Sequence, residues 1–149
     1  MFEHFLKYQS GAVRGYPSYK TALHEITVEH KKSSHWIWYT IPYDHPSRQH
    51  GDLFVVNKKD VPFYLQNTQL NQNYIEMMRA IYELLKDEDS VNYENFISGI
   101  DLNKIYYSAI LFRKNCSSAN NEVTNVCDKI KNLLHSYILR SKATQTKEH

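Results

Sequence analysis

The sequence predicts an all-α fold: one compact domain of several helices, with at most short extended segments near residues 36–41 and 53–56. Three observations carry this. The 149 residues include only four glycines and four prolines, too little punctuation for a many-turned β sandwich. Apolar residues recur at three- and four-residue spacing through several long stretches. Hydrophobic residues at 42% and charged residues at 23% describe a chain able to bury a core without disulfide or metal staples.

The same composition limits the function classes. A formal charge of +2 lacks the strongly basic face of a nucleic-acid binder, so nucleic acid is not an expected partner. Cys116 and Cys127 lie outside any C-x-x-C spacing and read as reduced thiols of an intracellular protein. Met1 to Gln9 lacks the apolar stretch of a signal peptide, and no run is long enough to cross a membrane. A cytoplasmic protein is expected, with nuclear entry left open. No P-loop, G-x-G-x-x-G word or internal repeat is present, and no cofactor is expected.

Taken in order, Phe2, Phe5 and Leu6 form the apolar side of a first short helix that the loop Ser10 to Tyr16 ends. A second helix starts at Pro17 or Ser18. Tyr19, Ala22, Leu23 and Ile26 share its buried face, with Lys20, His24, Glu25 and Glu29 expected toward water. His30 to His35 is a basic connector bearing hydroxyls, suited to facing an anion. It leads into Ser34-His35-Trp36-Ile37-Trp38-Tyr39-Thr40-Ile41-Pro42, which holds both tryptophans and is too aromatic to leave in water. This run fits a strand face or a helix face equally.

Tyr43 to Asp52 is a polar loop containing His45, Arg48 and His50. Together with His35 these histidines lack the spacing of a zinc ligand set, and no metal is expected. Leu53 to Val56 leans toward β. Asp60 can cap a helix opening at Val61-Pro62 whose buried side is Phe63, Tyr64 and Leu65. Leu70 to Lys86 carries a wide apolar stripe and predicts a long helix. Ser90 caps a short helix that Gly99 ends, and Asp101 caps the next, with Leu102, Ile105, Ser108, Ala109 and Phe112 on one face. A last helix, Glu122 to Leu139, repeats Val123, Val126, Ile130, Leu133, Leu134, Tyr137 and Ile138 at helical spacing. The globular domain is thus expected over residues 1–140, with 141–149 a polar, disordered tail.

Tyr19, Ala22-Leu23 and Glu25-Ile26, the basic connector, Ser34-His35-Trp36-Ile37-Trp38 and Pro42 follow one another in an order that resembles the bacterial family called domain of unknown function 1810. The family's mark is Y-x-x-A-L-x-E-I, then G-R-K-x-S-H-W-M-W-F-x-F-P-Q. Asp101 to Phe112 is similar to its second word, D-D-L-K-L-R-S-S-M-T-L-F, keeping the first aspartate, the lysine (Lys104), the second serine (Ser108) and the closing Leu-Phe. The resemblance covers Phe2 to Phe112. Here the connector is one residue longer, Glu29 stands at the family's glycine, Tyr43 at its glutamine and Tyr106 at its arginine. The resemblance implies a mostly helical single domain and brings no activity with it. Some members carry a calpastatin-like label, which no residue of this chain supports.

In two places polar, ionisable side chains interrupt apolar runs: the Ser34-His35-Trp36 segment and the Asp101-Lys104-Ser108 helix. A pocket combines apolar walls with a few placed polar groups. The expected function is therefore binding of a small molecule or nucleotide, the partner being a small anionic ligand. Trp36 and Trp38 would wall it, Lys31, Lys32 and Lys104 would meet the anion, and Ser34, Asp101 and Ser108 would complete the site. His35 is the candidate acid–base group, since its unperturbed pKa suits proton transfer. The alternative is a non-catalytic interaction module in which the same residues form a buried hydrogen-bonded network.

Overall fold

The computed structural model describes residues 1–148. Its helices are α1 (Glu3–Gln9), α2 (Tyr19–His24), α3 (Ile37–Thr40), α4 (Val61–Gln66), α5 (Thr68–Leu85), α6 (Gly99–Asn115) and α7 (Asn121–Glu148). No strand forms among the described residues; the nearest approach is the isolated pairing of Tyr43 with Val55 and of Ser47 with Gly51. The all-α expectation holds, and the ambiguous tryptophan run resolves as one helical turn.

Two long helices, α6 and α7, make the most extensive pair, and α5 packs against α7. Between them Tyr74 stacks on Phe112 with ring centroids 4.3 Å apart. From there edge-on aromatic contacts run through Tyr64 to Phe5 and Phe54, joining the N-terminal helix to the core. Phe63 is the exception to its predicted buried trio: Tyr64 and Leu65 go inside, but Phe63 is 53% exposed. Three consecutive residues of a helix span about 200°, more than one core contact can cover.

Several boundaries move for reasons of capping. Helix α5 starts at Thr68 rather than near Leu70, capped by Asn67, whose side chain accepts from the Leu70 N–H. Asp60 closes a short 3₁₀ turn, Lys58–Asp60, and makes no cap bond. Ser98 rather than Asp101 caps α6, accepting from the Asp101 N–H at 3.2 Å, and Gly99 opens this helix instead of ending the one before. Glycine suits that position because a side chain there would meet the Glu94 carboxylate and the Tyr137 hydroxyl. At the C-terminus α7 continues past Leu139 to Glu148. The segment expected to form a tail contains strong helix formers, Lys142 and Ala143 among them, which favour continuation of the helix. His149, the end of that expected tail, lies outside the described residues.

Candidate functional site

The site is built outward from Glu25. Helix α2 passes at Glu25 into a single wide turn, Glu25–Glu29, with i→i+5 hydrogen bonding, and His30 ends it with a left-handed backbone (φ 57°). The Lys31 N–H then returns to the Glu25 carbonyl at 3.0 Å, which folds the connector back over the helix. Glu25 is 3% exposed, a correction to its expected place on the water-facing side. Its carboxylate accepts the Ser33 N–H (2.9 Å), the Ser34 N–H (3.1 Å), the Ser34 hydroxyl and the Trp36 Nε1–H (2.9 Å). Burial pushes this carboxyl upward, but the bonds from Ser34, Trp36 and the two backbone N–H groups outweigh it and hold the group below the ordinary glutamate value. Trp36 is thereby fixed wholly inside.

Lys32 makes the second buried contact. Its Nζ lies 2.8 Å from Asp101 Oδ2, donates to the Ser34 carbonyl at 2.6 Å and sits over the Trp36 ring at 4.8 Å from the centroid. The Lys32 N–H donates to the Phe96 carbonyl. Connector and α6 are therefore locked together by an ion pair whose side chains are 4% and 14% exposed. Removing one partner strands the other charge out of water. Asp101→Ala is expected to lower unfolding stability by roughly 3–5 kcal/mol, and Lys32→Met with Asp101→Leu to recover most of that loss in urea titrations. Equal stability of Asp101→Ala and wild type would refute the buried-pair account.

Ser108 forms a third fixed point. Fully buried, it donates to the Pro42 carbonyl at 2.7 Å and meets the Tyr74 hydroxyl at 3.0 Å, and that hydroxyl in turn approaches Cys127 Sγ at 3.8 Å. Burial pushes the Cys127 thiol up to about 12, so it is a packed thiol rather than a nucleophile.

The remaining predicted residues border open space. A cleft of about 410 Å³ lies between the loop that follows Pro42 and the side of α6; Ile37, Trp38, Ile41, Tyr43, Pro46 and Phe54 form its walls, and Arg48 and Lys104 its cationic groups. A smaller cavity of about 310 Å³ adjoins it, lined by His35, Ile100, Asp101 and Lys32 and sharing Ile37, Trp38, Gln49 and Lys104 with the first. Lys104 is the hinge between the two. Its ammonium sits over the Trp38 ring at 4.9 Å from the centroid and has no ion pair or hydrogen bond among the described residues. Burial lowers its basicity, Asp101 opposes that shift and Lys32 adds to it.

His50 backs the indole. Its ring lies 4.7 Å from Trp38 and 5.2 Å from Phe54, with Nε2 at 3.0 Å from the Tyr16 hydroxyl and Nδ1 at 3.3 Å from Ser47 Oγ. Burial, and then Lys104, push this imidazole toward its neutral form. At the rim Tyr43 stacks on His45 at 4.6 Å, and His45 Nδ1 meets Asp44 at 2.7 Å. Among the described residues no three His, Cys, Asp or Glu side chains gather as metal ligands. A wider polar groove of about 1090 Å³ runs along α5 to the start of α7, but its lining includes no aromatic ring, and its Arg79 is paired with Glu122 at 3.4 Å.

The predicted residues thus divide. His35, Trp38, Asp101, Lys104 and Lys32 converge on the adjoining cavities. Ser34, Trp36 and Ser108 point into packed structure, each with its polar atom taken by a protein partner. Lys31 is exposed and borders neither cavity. Sequence reasoning missed Glu25 and the contribution of Gln49 and His50. The glutamate of the Y-x-x-A-L-x-E-I word was the available signal for Glu25; nothing comparable marked the loop residues.

Fold and cavities together define a helical domain in which the S-H-W-x-W segment is clamped to a D-x-x-K-x-x-x-S helix beside an aromatic, cationic cleft. The chain belongs to the family described as protein of unknown function (DUF1810), whose model matches residues 2–148. A solved structure, that of the conserved hypothetical protein Rv1873 from Mycobacterium tuberculosis, is similar with a TM-score of 0.61 at 21% sequence identity, covering 86% of this chain and 85% of that one. That likeness shows the shared fold. No curated protein matches the chain. No helix among the described residues is long and apolar enough to cross a membrane.

Proposed function

We propose that this chain is a small-molecule binding domain whose anionic ligand enters the cleft beside Trp38 and is held by Lys104. The observation that carries this is the unpaired, half-buried ammonium over an indole face, at the junction of two cavities. A half-buried ammonium with no anion in direct contact has a place beside it for one, and Asp101, bonded to Lys32, offsets its charge only in part. An incoming carboxylate or phosphate supplies it, while Trp38 and the apolar walls exclude water and strengthen the contact. His35 is exposed at the rim of the smaller cavity and is the acid–base candidate for any chemistry on a bound ligand.

The rival, an interaction module in which these residues only hold the fold, draws on the bonds of Glu25, Lys32, Asp101 and Ser108. It accounts for those residues but leaves Lys104 and the cleft without a role. Thermal-shift screening with nucleotides, phosphorylated metabolites and carboxylates separates the two. A ligand present at 100 times its Kd contributes about 2.7 kcal/mol of stabilisation. The expected result is a raised Tm for wild type that Lys104→Met largely abolishes while keeping its own ligand-free melting cooperative. Ligands that stabilise both proteins equally would refute the assignment of Lys104.

A further inference from the structure

We infer that the ligand of this cleft is an aromatic monocarboxylate, a flat apolar ring system bearing one carboxylate that meets Lys104, rather than a nucleotide or another phosphate ester. The inference rests on the binding role proposed above and names its ligand class. It follows first from the charges that line the space. Lys32 is consumed by Asp101 and the Ser34 carbonyl, so the half-buried charge left for a ligand is that of Lys104, with exposed Arg48 at the mouth. A phosphate dianion brings two charges and three acceptor oxygens, and is ordinarily met by several cations or by a nest of backbone N–H groups. Here the first turn of α6 presents Asp101 to the smaller cavity instead, and its pairing with Lys32 leaves those two with no net positive charge to offer a dianion.

The donors and acceptors agree. A ribose diol is commonly bound by a carboxylate, and the one carboxylate on these walls, Asp101, is already committed to Lys32. Ser47 Oγ is likewise taken, accepting from the His50 N–H at 2.8 Å. What the cleft offers in quantity is flat apolar surface: the Trp38 indole, Tyr43, Phe54 and the edges of Ile41 and Pro46. A volume of about 410 Å³ suits a ring system of drug-like rather than dinucleotide size. Aromatic rings packed offset or edge-on against such walls gain beyond their buried area.

Isothermal titration calorimetry on the full chain tests this with 2-naphthoate, its neutral analogue 2-naphthamide, AMP, acetate and inorganic phosphate. The expected order is 2-naphthoate tightest, 2-naphthamide weaker by roughly tenfold or more for the lost charge-assisted contact, and no measurable heat from acetate or phosphate over the same range. Lys104→Met should bind 2-naphthoate no better than wild type binds 2-naphthamide. Should AMP bind in a Lys104-dependent way and 2-naphthoate not, the ligand class is wrong although the anion site stands. Equal affinity for 2-naphthoate and 2-naphthamide overturns the inference, and heat from none of the five overturns both it and the binding role. Circular dichroism melts of Lys104→Met establish that the variant compared is folded.

Discussion

A chain ended after Lys114 is expected to be unfolded or aggregated under conditions where the full chain melts cooperatively. Helix α7 supplies Val123, Val126, Cys127, Ile130, Leu134, Tyr137 and Ile138 to the core, each at most 8% exposed, and they pack against α6 and α5. Burial of a large apolar side chain contributes roughly 1.5–3 kcal/mol. Losing even five of them removes about as much as the whole net stability of an ordinary domain. The loss also removes the Cys127 thiol that meets the buried Tyr74 hydroxyl at 3.8 Å. Tyr137 adds a polar tie, donating to Glu94 at 2.9 Å. Circular dichroism and size-exclusion chromatography of the truncated chain decide the matter. A soluble fragment as stable as the full protein would make α7 a detachable arm.

A single substitution at Glu25 is expected to cost at least as much as one at Asp101. Glu25→Ala leaves four donors without an acceptor, two of them backbone N–H groups that cannot turn away. A hydrogen bond to a charged group is worth about 1.5–3 kcal/mol, and an unsatisfied buried donor carries its full desolvation penalty. A loss of at least about 3–5 kcal/mol is expected, which at this size lowers Tm by roughly 10 °C or more. The connector should loosen with it, since Ser33, Ser34 and Trp36 are all held by the same carboxylate. The group also sets an acid limit. Because folding holds its pKa below the ordinary value of 4.5, its contribution is fully present above that value and is lost as pH falls through the lower, folded one. Glu25→Gln should therefore be less stable than wild type at neutral pH and lose less on acidification. Urea titrations at pH 7 and pH 3 measure both, and an identical acid dependence of the two proteins would contradict the assignment.

Long periodic stripes told most of the architecture in advance. The faces of α5 and α7 repeat every three or four residues, and a helix that must bury such a stripe has few alternatives. The tryptophan run carried no period, and its helical turn is imposed from outside: Trp36 is anchored by Glu25, and the Pro42 carbonyl by Ser108. Glu25 was misplaced for a related reason. Helical spacing assumes that everything off the apolar stripe meets water, whereas here the connector that follows the helix folds back over that face and brings its own donors. The convergence of His35, Trp38 and Lys104 was legible because the chain interrupts apolar runs with ionisable groups in just those two words. The cleft's other wall was not, since the loop from Tyr43 to Gly51 has no periodicity and is shaped by local contacts such as those of Ser47 with His50 and Gly51.

In the proposed site the Lys104 ammonium receives the ligand's anion, and the protonation of that one side chain reports on it directly. Burial lowers its basicity in the ligand-free protein, and a bound anion favours the charged form. In NMR pH titrations of the lysine Nζ and Cε resonances, Lys104 should titrate below the ordinary lysine value without ligand and shift upward when 2-naphthoate is added. A Lys104 signal that titrates identically with and without ligand, while resonances elsewhere respond to binding, would contradict it.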